Sequence, residues 1–283
     1  MKQRIVLFLC LAMALVSTKG QENIWQNTSC KAKVWLTPYL AQGQKRPAII
    51  VCPGGSYFWH DMKAEGKDVG LWLQRNGITA FVLRYRTAYV PAFVTHYRWL
   101  WRGNRYPDPQ DDLRQAIRYV KQHAEQWNVD TTKIGAMGFS AGGHLVVSGG
   151  LFFAKHDRPA FIASLYPVVT MSAPCVHKRS RRALMGESRM CNHILRDSLS
   201  LERQVTRVCP PIFLANCIDD PIVDYHNAIL LDSALTAQHV PHVYYQYRTG
   251  GHGFGASETR GSAECRTWKQ SFLAWLSQLW KGE

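Results

Sequence analysis

Ser140 stands where a serine can be turned into a nucleophile, within residues 138–142 (Gly-Phe-Ser-Ala-Gly) and directly after the apolar run 134–137. A serine on a sharp strand-to-helix turn needs small residues two positions before and after it, because the backbones nearly touch there. Residues 143–147 then fit a helix whose first N–H groups face the turn, so the N–H of Ala141 can donate to an oxyanion. The segment is predicted to be a nucleophile elbow.

Three more segments could supply the rest of an acyl-transfer site. Residues 51–57 (Val-Cys-Pro-Gly-Gly-Ser-Tyr) run from an apolar stretch into a glycine-rich loop, where the N–H of Gly55 or Ser56 can bind the other side of an oxyanion. Residues 219–223 (Asp-Asp-Pro-Ile-Val) contain an acidic pair, and residues 250–255 (Gly-Gly-His-Gly-Phe-Gly) set one histidine among glycines. The chain order serine, aspartate, histidine is one in which a triad assembles.

The chemistry of these residue types assigns each a role. Ser140 needs a base to take its proton as it attacks a carbonyl carbon, and His252, on a flexible loop flanked by glycines, is the candidate base. A carboxylate must hold the imidazole in one tautomer and stabilise its charged form, which either Asp219 or Asp220 could do. The next acid, Asp224, is predicted to cap the following helix.

The segments between these residues alternate between apolar runs and amphipathic stretches. Continuous apolar runs predict strands covered on both faces, and apolar residues spaced by three and four predict helices that pack on a sheet. The predicted strands are 33–40 at an edge, stopped by Pro38, then 47–52, 78–83, 133–139, 161–169, 211–217 and 242–247. The predicted helices are 61–76, 111–127, 225–238 and a closing helix with Trp268, Phe272, Trp275, Leu276 and Leu279 on one side. The alternation predicts an α/β fold, with a mostly parallel central sheet and helices on both faces.

Two segments fall outside this alternation. Residues 86–108 form an insertion that is rich in aromatic residues and carries almost no acids. It is either a carbohydrate platform beside Ser140 or a small cap that packs its own rings. Residues 170–206 are predicted to be a polar loop, in which the basic run 177–182 is a solvated face.

The first residues have the features of a secretory signal. A positively charged start is followed by the apolar run 5–16, which is too short to span a bilayer. We expect residues 1–20 to be removed, leaving one domain over 21–283 without a membrane span, in the periplasm or outside the cell. The removal takes away Lys2, Arg4 and Lys19 and lowers the net charge from +14 to +11.

The remaining positive charge does not by itself identify a binding partner. It could favour an acidic polysaccharide or a lipid surface, or it could be an ordinary soluble surface rich in lysine and arginine. A nucleic-acid partner is not expected, because no recognition motif accompanies the charge. With 46% hydrophobic and 19% charged residues, the chain has the composition of a globular protein.

Seven cysteines remain after residue 20, so at least one thiol stays free or pairs between chains. Cys175 with His177 and Cys191 with His193 repeat a C-x-H pattern, whose spacing differs from that of structural zinc sites. No metal is therefore expected, and a Cys175–Cys191 disulfide stays open as an alternative to free thiols. Three further histidines without a partner pattern are expected to be structural, namely His96, His144 and His177.

These motifs, together with residues 77–83 and the pair Asp111-Asp112, resemble those of secreted bacterial α/β-hydrolase esterases of the acetyl-xylan or feruloyl esterase type. The resemblance extends over about residues 33–280. It implies hydrolysis of carboxylic esters on plant polysaccharide, most often of acetyl groups, without a cofactor. It also favours Asp220 over Asp219 as the triad acid, because in this superfamily a valine follows the acid by three residues, as Val223 does here.

The leading hypothesis is a secreted serine carboxylesterase that hydrolyses short acyl esters, acetyl above all, of a hemicellulose such as xylan. The residues assigned to catalysis are Ser140, Asp220 and His252, with Gly55, Ser56 and Ala141 forming the oxyanion hole. A feruloyl esterase is the first alternative. A prolyl-oligopeptidase-like peptidase is disfavoured, because such enzymes usually carry a large gating domain. A non-catalytic protein that binds carbohydrate or lipid is the remaining alternative.

Overall fold

A sheet that is parallel over most of its width forms the centre of the molecule. The computed structural model describes residues 20–43, 45–91 and 103–281. Within these ranges the sheet has eight strands: β1 (Glu22–Asn23), β2 (Trp35–Tyr39), β3 (Arg46–Cys52), β4 (Thr79–Arg84), β5 (Val129–Phe139), β6 (Ile162–Leu165), β7 (Ile212–Cys217) and β8 (His242–Tyr247). Their order is β1-β2-β4-β3-β5-β6-β7-β8. The pairings from β4 to β8 are parallel, whereas β1 with β2 and β2 with β4 are antiparallel.

Helices cover both faces of this sheet, as the sequence predicts. In the described ranges they are α1 (Asp68–Arg75), α2 (Asp108–Gln122), α3 (Ala141–Phe152), α4 (Lys178–Met185), α5 (His193–Ser198), α6 (His226–Ala237), α7 (Ala263–Arg266) and α8 (Trp268–Lys281). The apolar sides of α2, α3 and α6 belong to one buried cluster, and those of α1 and α8 belong to another. The predicted α/β fold class is confirmed.

The parallel arrangement brings the predicted site segments to one edge. Every residue of β6 and β7 is buried, as expected for strands with helices on both faces. Parallel strands end at the same edge, so the chain leaves β3, β5, β7 and β8 on the same side of the sheet. Each of these exits leads into one of the four segments that carry the predicted site residues.

The predicted edge strand 33–40 is wrong in two respects. It corresponds to β2, which is not the edge, because β1 pairs with Trp35 and Leu36. Pro38 does not stop the strand but lies inside it, opposite Phe81 of β4. Since β1 does not extend as far as Pro38, one side of the strand is open there, which is where a sheet tolerates a residue without an N–H.

Two other predicted boundaries are wrong. The strand predicted over 161–169 ends at Leu165, because Tyr166 has a φ of 37° and turns the chain out of the sheet. Val168 and Val169 are buried by the packing of the following loop, so their apolar character does not mark a strand. The helix predicted over 111–127 is α2, which begins three residues earlier and ends at Gln122.

The stretch 170–206 is not the polar loop that its composition predicts. It contains α4 and α5, and α4 includes most of the basic run 177–182. The helix buries Ser180 and the apolar residues 183–185, while its charged residues surround that narrow buried side. The helix is only eight residues long, so its apolar residues repeat over about two turns, and the many charges dominate its composition.

The predicted signal peptide falls on residues outside the described ranges, apart from Gly20. Residues 92–102 of the predicted aromatic insertion are outside them as well. Within the described ranges, no helix has the length and apolar composition needed to cross a bilayer.

A buried ion pair fastens α2 to the sheet. The carboxylate of Asp112 is fully buried and accepts hydrogen bonds from the backbone N–H of Arg86 (2.7 Å), the Nε of Arg86 (2.9 Å) and the indole N–H of Trp25 (2.8 Å). Burial raises the pKa of Asp112, and the adjacent Arg86 lowers it. One carboxylate of α2 therefore connects this helix with the amino-terminal segment and with the residues that follow β4.

Replacing Asp112 should cost more stability than replacing its neighbour. In Asp112→Ala the indole N–H of Trp25 loses its hydrogen-bond acceptor, and Arg86 loses the hydrogen bonds that Asp112 accepts from it. We therefore expect the free energy of unfolding to fall by about 3 kcal/mol. The matched control is Asp111→Ala, whose pair with Arg114 is 35% and 34% exposed and should contribute less than about 1 kcal/mol. Urea denaturation measures both losses, and equal losses would contradict the role given to Asp112.

Candidate active site

Ser140 occupies a strained turn between β5 and α3. Its φ is 54° and its ψ is −118°, a conformation that costs a non-glycine residue about 1–3 kcal/mol and is held by its surroundings. The N–H of Ser140 donates to the carbonyl of Leu165 (3.0 Å). A Cβ on Gly138 would overlap the carbonyl of Gly142, which is the physical reason for the small residues on both sides. The predicted elbow geometry is present.

A continuous hydrogen-bond chain links three residues that are far apart in sequence. The hydroxyl of Ser140 lies 2.9 Å from Nε2 of His252, and Nδ1 of His252 lies 2.6 Å from Oδ2 of Asp220. A carboxylate can only accept, so Nδ1 carries the proton and Nε2 is free to accept from the serine hydroxyl. The structure thus brings together the predicted nucleophile, base and acid.

Asp220 is held by the backbone that follows it. Its Oδ1 accepts from the N–H of Ile222 (2.8 Å) and of Val223 (3.0 Å), which leaves Oδ2 for His252. The side chain of Asp220 is 1% exposed, so water does not compete for the imidazole. This contact gives a structural reason for the D-x-x-V spacing, because the N–H of Val223 orients the carboxylate of Asp220.

Asp219 has a different set of partners. Its two oxygens accept from the N–H of Gly250 (3.1 Å) and of Gly251 (2.8 Å), so it holds the histidine loop, residues 250–256, rather than the imidazole. Asp224 accepts from the N–H of His226 in the first turn of α6 (2.9 Å), which is the capping contact predicted for it. The three neighbouring acids therefore have separate contacts.

Residues 53–57, called here the oxyanion loop after the role predicted for them, pass directly against Ser140. A Cβ on Gly54 would lie 2.8 Å from Cβ of Ser140, so only glycine allows this approach. Gly55 has a φ of 134°, and Ser56 has a φ of 55° although it is not glycine. The predicted donors on Gly55 and Ser56 thus belong to a tightly turned segment beside Ser140.

The first turn of α3 lies on the other side of Ser140. Ala141 is the first residue of the helix, so its N–H is one of the donors that no intrahelical acceptor pairs. One turn later, His144 is fully buried, accepts from the hydroxyl of Tyr57 (2.9 Å) and donates to the carbonyl of Leu199 (2.9 Å). Burial lowers the pKa of His144 to about 4, so the ring is neutral. Its contacts support the oxyanion loop, in agreement with the structural role expected for it.

A buried carboxylate that the sequence analysis missed lies behind the site. Glu65, on the π-helical turn Met62–Lys67 before α1, is 3% exposed. It accepts from the N–H of Gly54 (2.6 Å) and from the hydroxyl of Tyr166 (2.9 Å). Burial raises the pKa of Glu65 to about 7, and the nearby His252 acts in the opposite direction.

The position of Glu65 in its predicted helix could have revealed it. Glu65, Val69 and Leu73 follow each other at intervals of four, so they share one side of a helix. Val69 and Leu73 are fully buried. An acid in line with two core residues must either be paired or have a function, and the sequence does not identify its partner.

His177 lies close enough to His252 and Asp220 to be influenced by their charges. Burial lowers its pKa to about 4, and the charge of His252 adds to the effect. Its Nδ1 lies 2.8 Å from the hydroxyl of Ser180.

Cys175 and Cys191 are thiols, so the alternative disulfide between them is absent. In the described ranges no cluster of three histidine, cysteine or acidic side chains could hold a metal.

The aromatic insertion is described only in part. Tyr85, which precedes it, is buried and donates to the carbonyl of Pro53 (2.7 Å) in the oxyanion loop. Tyr89 is 56% exposed. Most of its other rings and His96 are outside the described ranges. The choice between a carbohydrate platform and a packed cap stays a prediction.

Comparison with known proteins extends these observations. Residues 37–235 match the model of the BD-FAE family. The chain is 30% identical over 249 residues to an acetylxylan esterase of Xylanibacter ruminicola, covering 87% of this chain and 49% of that protein. It is 29% identical over 251 residues to endo-1,4-beta-xylanase B of Butyrivibrio fibrisolvens, covering 82% and 37%. The chain spans half or less of the length of these two relatives.

Among solved structures, the chain resembles an acetyl ester-xyloside bifunctional hydrolase of Caldicellulosiruptor lactoaceticus. The TM-score is 0.80 at 29% identity, over 94% of this chain and 98% of that one. The α/β-hydrolase fold is thereby confirmed. The matches also agree with the resemblance drawn from the motifs.

The two neighbouring aspartates should differ in their effect on Ser140. In Asp220→Asn the amide can present N–H to Nδ1 and favour the wrong tautomer, so labelling of Ser140 by a fluorophosphonate should slow about 10³- to 10⁴-fold. In Asp219→Asn one oxygen still accepts from the histidine loop, and the rate should fall less than about tenfold. Labelling rates followed by mass spectrometry test this, and the reverse order would identify Asp219 as the partner of the imidazole.

Proposed function

The chain belongs to the BD-FAE family, and we propose that it is a serine carboxylesterase that removes short acyl groups, acetyl above all, from a hemicellulose such as xylan. The observation that carries the proposal is the hydrogen-bond chain from Ser140 through His252 to Asp220. The names of the relatives support the choice of ester and sugar, since one is an acetylxylan esterase and another an acetyl ester-xyloside hydrolase.

In the proposed acylation, Oγ of Ser140 attacks the carbonyl carbon of the acyl group while Nε2 of His252 takes the hydroxyl proton. Asp220 stabilises the imidazolium that forms, and its burial keeps the attraction from being screened by water. The tetrahedral intermediate collapses when His252 gives the proton to the sugar oxygen. The sugar hydroxyl leaves, and the acyl group stays on Ser140.

The negative oxygen of that intermediate needs donors that are already in place. The N–H of Ala141 and the N–H of Gly55 or Ser56 fill this role in the proposal, each donor contributing about 3 kcal/mol to the transition state. Deacylation repeats the sequence with water as the nucleophile, activated by His252, and releases the free acid. No cofactor enters either step.

Replacing the nucleophile tests the proposal. The wild-type protein should hydrolyse p-nitrophenyl acetate, and Ser140→Ala should lower kcat/KM at least about 10⁴-fold, because no acyl-enzyme can form. Ser148→Ala is the matched control, since Ser148 lies on α3, the helix that follows Ser140, and its hydroxyl donates to the carbonyl of Leu145 (2.7 Å). It should keep the wild-type kcat/KM. A fully active Ser140→Ala protein of unchanged circular dichroism would refute the proposal.

The acid that is released identifies the substrate. Incubation with acetylated xylan should release acetate, and incubation with feruloylated arabinoxylan should release little ferulic acid. Release of ferulic acid alone would favour the feruloyl esterase alternative, and cleavage of a prolyl peptide would favour a peptidase. Failure of a fluorophosphonate to label Ser140 would indicate a protein that binds carbohydrate or lipid without catalysis.

The proposal includes export, which rests on the charged start and the apolar run 5–16. Expression of the full sequence in a bacterial host should give a protein in the periplasm or medium whose first residue is Gln21. Amino-terminal sequencing of the fractionated protein measures this. A cytoplasmic protein that retains residues 1–20 would contradict the proposed location.

A further inference from the structure

Glu65 lies between the two segments that must meet at Ser140. One carboxylate oxygen accepts from the N–H of Gly54 in the oxyanion loop (2.6 Å). The other accepts from the hydroxyl of Tyr166 (2.9 Å), and that same hydroxyl accepts from the N–H of Gly255 in the histidine loop (2.9 Å). A single buried side chain thus connects the oxyanion loop with the histidine loop.

The donors around Glu65 determine which protonation state fits. The N–H of Gly54 can only donate, and the hydroxyl of Tyr166 donates to Glu65 while its oxygen accepts from the N–H of Gly255. Both oxygens of Glu65 therefore act as acceptors, which fits an ionised carboxylate, because protonation would turn one of the two oxygens into a donor. A glutamine would also leave one of the two donors facing an N–H.

The backbone next to Glu65 strengthens the connection to the histidine loop. The carbonyl of Ala64 accepts from the N–H of Ala256 (3.0 Å). The ring of Tyr166 packs against the ring of His252, with 4.7 Å between the ring centroids. A shift of Glu65 would therefore move both the imidazole and the oxyanion loop relative to Ser140.

We propose that ionised Glu65 is a positioning residue, which holds the oxyanion loop and the histidine loop in the geometry that Ser140 requires. The inference rests on the proposed esterase function and deepens it. Glu65 does not touch the substrate in this proposal. It acts through Gly54 on the oxyanion donors and through Tyr166 on His252.

Glu65 changes its protonation state within the pH range in which an esterase works. Burial raises its pKa to about 7, while the positive form of His252 and the two donors lower it. The titratable and charged groups that face it are Asp61, Tyr85, Tyr166, His252 and Arg260. As the pH falls below about 7, Glu65 takes up a proton, one oxygen ceases to accept, and the connection between the loops weakens.

Full activity therefore requires Glu65 in its ionised form. At pH 8 the kcat of Glu65→Gln, which cannot ionise, should be about 10- to 100-fold lower than that of the wild-type protein, with little change in KM. As the pH falls below about 7 and Glu65 takes up a proton, the ratio of the wild-type kcat to the Glu65→Gln kcat should fall toward 1. The matched control is Asp112→Asn, another buried carboxylate, which should keep the wild-type kcat at each pH.

Glu65→Asp provides a rescue that a purely structural role does not predict. It keeps the charge but is one methylene shorter, so it can reach only one of its two partners. We expect a reduced kcat at pH 8, whose ratio to the kcat of Glu65→Gln still falls toward 1 as the pH is lowered. A ratio of wild-type to Glu65→Gln kcat that does not change as the pH falls through about 7, or wild-type kcat in Glu65→Gln, would overturn the inference.

Hydrogen exchange tests the positioning role without using an ester. Amides of peptides covering residues 53–60 and 250–257 should exchange faster in Glu65→Gln than in the wild-type protein, and at the wild-type rate in Asp112→Asn. Tyr166→Phe should affect only the second peptide. Unchanged exchange of both peptides in Glu65→Gln overturns the inference even if the protein proves to be no esterase. Absence of ester hydrolysis by the wild-type protein with faster exchange in Glu65→Gln would overturn only the proposed function.

Discussion

The strands β3, β5, β7 and β8 are parallel, and all four therefore end at one edge of the sheet. Residues separated by 112 and 32 positions meet there within hydrogen-bond distance. A parallel sheet needs helices on both faces, so the two buried clusters of core residues are a precondition of the site. The apolar sides of α2 and α8 contribute to these two clusters, one on each face of the sheet.

Several residues at the site have strained backbone conformations. Ser140, Ser56, Tyr57 and Tyr166 all have positive φ values, which for residues other than glycine cost about 1–3 kcal/mol each. Such conformations persist only where neighbouring groups compensate for the strain. Here the compensation comes from buried polar contacts, in which His144 binds Tyr57 and Glu65 binds Tyr166. Both contacts reach residues 53–57, His144 through Tyr57 and Glu65 through Gly54.

The elements that the sequence predicts best are those in which burial alone explains the composition. Strand β7 and the apolar side of α2 are examples, because their apolar residues are buried in the core. The predictions were wrong where an apolar run continues past the end of a strand, as at Tyr166, and where a short helix carries many charges, as in α4. In both cases the composition reflects the packing of the chain against other segments and not the type of element.

Three features follow from the sequence alone, because they are requirements of local chain geometry: the chain order of serine, aspartate and histidine, the small residues around Ser140 and the glycines around His252. The alternation of apolar runs and amphipathic stretches also predicts the parallel sheet that brings these segments to one edge. The folded structure is needed to show that Asp220 faces the imidazole while Asp219 holds its loop, and that Glu65 joins the two loops from behind. Those relations depend on hydrogen bonds between residues distant along the chain, for which a single sequence contains no periodic pattern.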